Sequence, residues 1–112
     1  MIEEIVRDFL NRIVSYPVYT EIPKSSPSHF YIVEKTGGSE SNHISSSTIT
    51  IQSYADTLFK AAEMNADLKE VMLNQLIELN DISSVKLNSD YNYTDTTTKR
   101  YRYQAVFDIV HY

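Results

Sequence analysis

Between Phe30 and Tyr54 the chain carries the pattern of a β-hairpin, and the rest of the sequence has to fold around it. The first arm, Phe30-Tyr31-Ile32-Val33-Glu34-Lys35, is almost continuous in aromatic and β-branched residues. The second, Thr48-Ile49-Thr50-Ile51-Gln52-Ser53-Tyr54, alternates apolar and polar residues. A period of two sends successive side chains to opposite faces, so Ile49 and Ile51 point to a core and Thr48, Thr50 and Gln52 away from it. Between the arms lies Thr36–Ser47, polar, serine-rich and holding both glycines of the protein. Its length predicts a long flexible loop rather than a tight turn, with Gly37 and Gly38 supplying backbone freedom. With only Ile44 to pin it, such a loop cannot bury enough surface to offset its ordering entropy, and it is expected to order on contact with a partner.

The 112 residues fit one domain spanning 1–112. A chain of this size buries roughly two-thirds of its unfolded surface, a thin but sufficient core. Its net charge of −5 argues against general nucleic-acid binding, which needs a basic face. Without cysteine there is no disulfide framework and no thiol nucleophile or thiolate zinc site. No stretch approaches the roughly 18 apolar residues of a membrane span, and the acidic amphipathic start is unlike a signal peptide. Asn92-Tyr93-Thr94 matches a glycosylation pattern and, without a secretion signal, reads as chance. The expected setting is a cytosol or an assembly built there. Nine tyrosines and no tryptophan are a skew toward a residue enriched at interfaces.

In chain order, Ile2, Ile5, Val6, Phe9, Leu10 and Ile13 give residues 2–14 one apolar helical face, ended before Tyr16-Pro17. Val18-Tyr19-Thr20 reads as a short edge strand, and the prolines at 23 and 27 mark a semi-rigid connection. Residues 55–79 read as helix capped by Ser53, with a stripe of Leu58, Phe59, Ala62, Ala66, Met72, Leu73 and Leu76. The stripe breaks around Asn65-Ala66-Asp67, which leaves open one kinked helix or two, the second capped by Asp67. Val85–Tyr93 alternates, with Val85, Leu87, Tyr91 and Tyr93 on one face. After a polar turn over 94–100, Tyr101–Tyr112 forms the last strand, with Tyr101, Tyr103, Ala105, Phe107 and Ile109 inward. The predicted fold is therefore α+β, in the order α-β-β-β-α-β-β: a mainly antiparallel sheet of four to five strands with both helices on one face. The expected core is Ile5, Phe9, Ile32, Ile49, Ile51, Leu58, Leu76, Leu87, Phe107 and Ile109.

Motifs for chemistry are sparse. His29, His43 and His111 have no i,i+4 relation, so no metal site is expected; His29 and His111 read as surface residues. Gly37-Gly38-Ser39 lacks the lysine and helix start of a phosphate loop. Carboxylates are not paired within apolar stretches where pKa shifts arise. Lys99-Arg100-Tyr101-Arg102-Tyr103 interleaves basic and aromatic residues as some single-strand binders do, but five residues fit a solvated strand entry better. Neither a catalytic role nor a cofactor is expected, and the residues alone indicate a small α+β interaction domain. Its candidate site is the loop: Gly37, Gly38, Ser39, Glu40, Ser41, Asn42 and His43.

Five stretches, taken in order and spacing, carry a resemblance that covers most of the chain: Pro17-Val18-Tyr19-Thr20-Glu21-Ile22-Pro23, Phe30-Tyr31-Ile32-Val33-Glu34-Lys35-Thr36-Gly37-Gly38, Glu40-Ser41-Asn42-His43-Ile44, Thr50-Ile51-Gln52-Ser53-Tyr54-Ala55 and Arg102-Tyr103-Gln104-Ala105-Val106-Phe107-Asp108-Ile109-Val110. Together they resemble the tail terminator of long-tailed bacteriophages, also called the tail completion, head–tail joining or minor capsid protein, of phages and prophages of Gram-positive bacteria. The resemblance implies an α+β subunit of a homo-oligomeric, hexameric ring. Such a ring caps the tail tube, stops its polymerisation and offers the head-joining surface. Its implied partners are the tail tube protein and the head or neck connector proteins. Its implied place is the tail–neck junction of the virion, with host cytoplasm during assembly. Small-molecule substrate, membrane and specific nucleic acid are not implied. The alternatives are another neck-ring protein, such as a head-completion or stopper protein, and, more distantly, a small hydrolase.

Overall fold

The computed structural model describes residues 1–97 and 100–112. It is α+β, with helices α1 (Ile2–Asn11) and α2 (Leu58–Asn74) packed on one face of a five-stranded sheet. The strands are β1 (Val18–Tyr19), β2 (Phe30–Ser41), β3 (Ile44–Ala55), β4 (Ile82–Asn92) and β5 (Tyr101–His111), in the spatial order β1-β2-β3-β5-β4. All pairings are antiparallel except β1 with β2, so the sheet is mixed. The last strand thus lies inside the sheet, between β3 and β4, and α2 carries the chain across from β3 to the far edge.

The main core lies between helices and sheet. Val6, Phe9 and Leu10 of α1 and Met64, Leu68 and Met72 of α2 meet Val33, Ile49, Ile51, Ala105, Phe107 and Ile109. The alternation predicted for β3 and β5 holds, because antiparallel partners such as Ile49 with Phe107 and Ile51 with Ala105 share a face. A second, smaller cluster occupies the opposite face of the sheet: Phe30, Ile32 and Tyr54, with Tyr19 against them. Ile32 is therefore buried, but away from the helices.

Three of the expected core residues sit at the rim instead: Ile5 at 37%, Leu58 at 41% and Leu87 at 39% exposure. The cause in α2 is a rotated stripe. Its buried residues are Ala61, Met64, Asn65, Leu68 and Met72, continued by Leu76 in a 3-10 turn, Leu76–Glu78. Asn65 is one of them, donating from Nδ2 to Asp90 at 3.4 Å. A polar residue in the apolar stripe shifts the apparent register toward Leu58 and Phe59, which are exposed. The helix is also continuous through 65–67 and starts later than predicted. Its cap is Thr57, whose side chain accepts from the Lys60 N–H at 3.1 Å, and Ser53 stays within β3 because β5 pairs with that strand as far as Ala55.

α1 stops at Asn11, well before Pro17. The Asn11 amide then exchanges two hydrogen bonds with the Val18 backbone, donating to its O and accepting from its N–H, each 3.0 Å. This double contact replaces a further helical turn and ties β1 to α1.

In β4 the register shifts between Leu87 and Ser89. A bulge adds one residue and reverses the face of everything beyond it. Asp90, paired with Ala105, looks toward α2, where Lys69 forms an ion pair with it. Tyr91, paired with Gln104, turns to the helix-free face. The expectation that Val85, Leu87, Tyr91 and Tyr93 share a face is thereby corrected.

Candidate functional site

The segment Thr36–Ser47 is not a loop. β2 and β3 pair without interruption from Gly37 with Thr48 to Ser41 with Ile44, and the connection is the two-residue turn Asn42-His43. Both turn residues are left-handed, φ 52° and 67°, as a type I′ hairpin turn requires. The expectation of an unpinned loop fails for a physical reason. β5 supports β3 from the other side out to Ser45 with His111, so ladder hydrogen bonds supply the ordering that apolar side chains do not.

The glycines act differently from expectation as well. Neither has positive φ. At Gly38 the requirement is close approach: a Cβ would stand 3.0 Å from the Ser46 backbone O and 3.1 Å from Lys35 Cε. One residue at Thr36 is extra in the register between Lys35 and Gly37, and its hydroxyl meets that of Thr50 at 2.9 Å.

Every residue from Glu34 to Ile44 is exposed, so Gly37, Gly38, Ser39, Glu40, Ser41, Asn42 and His43 do form one contiguous exposed stretch, the outer strand and tip of a stiff hairpin. β1 covers β2 only at Tyr31 and Ile32, so beyond them this strand is an open edge. Because Ser41 and Ile44 close the turn as a hydrogen-bonded pair, alternation turns the backbone groups of Glu40 and Gly38 outward.

The helix-free face of the sheet holds a second arrangement that the sequence pattern did not single out. Phe30 and Tyr54 stack in parallel, centroids 4.7 Å apart. Arg100 stands 5.1 Å from the Tyr54 ring centre, and Arg102 is 4.5 Å from that of Tyr93 and 5.7 Å from that of Tyr54. The Arg102 guanidinium also donates to the Tyr54 hydroxyl at 3.0 Å and to the Tyr93 carbonyl at 2.6 Å. The network continues from Tyr54 Oη to Gln52 Oε1 at 3.1 Å, from Gln52 Nε2 to Gln104 Oε1 at 2.9 Å, and from Gln104 Nε2 to Tyr91 Oη at 2.5 Å. Side chains of three adjacent strands, β3, β5 and β4, are thus locked across one surface. The alternation of arginine and tyrosine in β5 carried the signal for it. The bulge in β4 hid the tyrosines that complete it. Lys99, the first residue of that basic stretch, lies outside the described residues.

Two histidines that read as plain surface residues have partners. His29 Nε2 lies 2.9 Å from Asp56 Oδ1, and this hydrogen bond holds the Asp56 carboxyl below its usual pKa. His111 Nε2 lies 2.8 Å from the Ser47 hydroxyl. Burial, then the negative charge of Asp67, raises the pKa of Tyr31, whose hydroxyl donates to the Met64 carbonyl at 3.3 Å. Among the described residues no three His, Asp or Glu side chains are grouped to hold a metal ion, and no helix is long and apolar enough to cross a membrane.

What the arrangement offers chemically is contact: a rigid, glycine-bearing strand edge and a face of tyrosine, arginine and glutamine. Compared with protein-family models and with curated proteins, the chain matches none.

Proposed function

We propose that this chain is a structural subunit of the bacteriophage tail–neck region, a tail-terminator-like protein that assembles into a homo-oligomeric ring, a hexamer by the resemblance. The observation that supports it most is the pair of unlike open edges. β2 is open from Glu34 to Ser41 on one side of the sheet, and β4 borders the other. A ring needs a heterologous contact, one surface of a subunit against a different surface of the next, and unlike strand edges are such a pair. Past Lys35 the β2 edge carries a bulge at Thr36 and the charge of Glu40, but it has no proline, and its two glycines let another backbone approach. In this reading Gly37–His43 is the subunit or tail-tube contact, the tube protein and neck connectors are the partners, and the protein has no enzymatic role.

The test shortens the hairpin in register. Replacing Glu40–Ser45 with Asn-Gly joins Ser39 to Ser46, removes an even number of residues and keeps every side chain on its face. Native mass spectrometry of the wild-type protein should show a closed ring that binds tail tubes. The shortened protein should fold and stay monomeric. A wild-type protein that stays monomeric at high concentration and ignores tail tubes would overturn the proposal. Binding to portal–connector complexes instead would assign it to another neck ring.

A further inference from the structure

Helix α2 is apolar on two sides. Ala61, Met64, Leu68 and Met72 are buried in the core against the sheet. Phe59, Ala62, Ala66 and Leu73 recur at helical spacing on the opposite side, over roughly 21 Å of helix. Phe59 is 79% exposed and Leu73 37%, and Ile77 continues the line beyond the helix at 43%. The stripe is large at both ends and small in the middle, so a second helix can come close to the backbone between Phe59 and Leu73.

Glu63, Asp67 and Glu70 form an exposed row beside the stripe, at i, i+4 and i+7. The lysines of α2 are already engaged, Lys60 with Glu63 at 2.8 Å and Lys69 with Asp90. On α1, Arg7 is bonded to Asp8 at 3.0 Å and Arg12 stands 5.9 Å from the Phe9 ring centre. Asp67 and Glu70 have no ion-pair partner among the described residues, so the surplus beside the stripe is negative. A recess of about 220 Å³ borders this row, between residues 13–16 and α2, with Ile13, Tyr31 and Val71 in its walls beside Asp67. Apolar walls next to an unpaired carboxylate suit the stem and head of a lysine or arginine.

We propose that the outer face of α2 takes an amphipathic helix of a partner protein whose apolar side is flanked by a row of lysines or arginines. The apolar side packs on Phe59, Ala62, Ala66 and Leu73, and the basic row runs along Asp67 and Glu70. Charge chooses between occupants. A second copy pairing antiparallel through the same helix would set Phe59 against Leu73, but it would also set Glu63 beside the copy's Glu70, like charge against like. Nucleic acid or an anionic membrane surface would meet the same carboxylates. The site lies on the helix side of the sheet rather than at a strand edge, and it does not depend on the ring reading.

The probe is a fluorescein-labelled peptide of three Leu-Ala-Ala-Leu-Lys-Ala-Lys repeats, titrated with the full chain and followed by anisotropy. Controls are the same peptide with glutamate for lysine, and a scrambled peptide of the same composition that has no apolar side. Binding of the amphipathic lysine peptide alone is expected. Phe59→Ser and Ala66→Gln change exposed positions, so the fold should hold, and each should weaken binding at least about tenfold. Asp67→Lys combined with Glu70→Lys should weaken it as much and should let the glutamate peptide bind. Binding that tolerates Phe59→Ser, or equal binding of the scrambled peptide, would mean charge attraction without a docked helix and overturn the proposal. No binding of the lysine peptide, or equal binding of the glutamate peptide to the wild type, would overturn it too. Self-association of the wild type that Phe59→Ser abolishes would seat a second copy on the stripe, again against the proposal.

Discussion

At His43 a side chain occupies a backbone conformation that glycine adopts more easily. Left-handed φ costs an ordinary residue about 1–2 kcal/mol, and asparagine, at Asn42, is the residue that tolerates it best after glycine. His43→Gly would complete the Asn-Gly pair preferred in such turns, and chemical denaturation should report a gain of about 1 kcal/mol. A loss would mean that the imidazole has contacts worth more than the strain. The His29–Asp56 pair gives a second residue-scale expectation, in pH. The Asp56 carboxyl titrates below its ordinary 3.8 in the fold because His29 hydrogen-bonds to the ionised form. A depressed carboxyl pKa adds stability that is present above the unfolded value and lost as pH falls through the folded one. The melting temperature of the wild type should therefore exceed that of Asp56→Asn above pH 3.8, with the gap closing below it. A gap independent of pH in that range would assign the difference to something other than this titration. The effect should be small, because the pair is open to solvent.

At the scale of elements, β5 bears the most weight. Phe107 is fully buried between Ile49 on one neighbour and Leu87 on the other. Phe107→Ala should cost about 3–5 kcal/mol in equilibrium unfolding, and a loss under about 0.5 kcal/mol would contradict its place in the core. This strand and the Thr48–Tyr54 part of β3 were legible because their apolar spacing is regular, and α1 was legible as an element, though it ends at Asn11 and leaves Ile5 at the rim. α2 was legible as an element but not in its orientation, since Asn65 takes a core position on the strength of a partner, Asp90, that is distant in sequence. The face of Tyr91 was hidden for a different reason: one bulged residue reverses a strand without any compositional mark. The hairpin tip misled most. Serine, glycine and threonine read as loop when taken alone, yet Thr36–Ser47 is ladder, because a strand's partners can substitute for its own apolar content. Gly37–His43 lie together on one exposed projection, whereas the arginine–tyrosine face needed the pairing of β4 with β5 to become visible.

For the molecule as a whole, the fold is a one-sided sheet 44 Å along its longest dimension and 25 Å across, with helices on one face and a network of polar and aromatic side chains on the other. Beyond Ile32 the outer side of β2 has no neighbouring strand, and neither has the outer side of β4. The strand order has a consequence in time as well. β3 finds its second neighbour only after α2 and β4 have intervened, so the central β3–β5 ladder joins residues such as Ser45 and His111 that are far apart in sequence. Contacts of that span close slowly, because the chain gives up loop entropy before it gains them. On a ribosome, the β2–β3 hairpin emerges long before the strand that flanks it. Until Tyr101–His111 arrives, the inner edge of β3 is bare alongside Ile49 and Ile51, and the nascent chain is at its most exposed to mispairing with its neighbours.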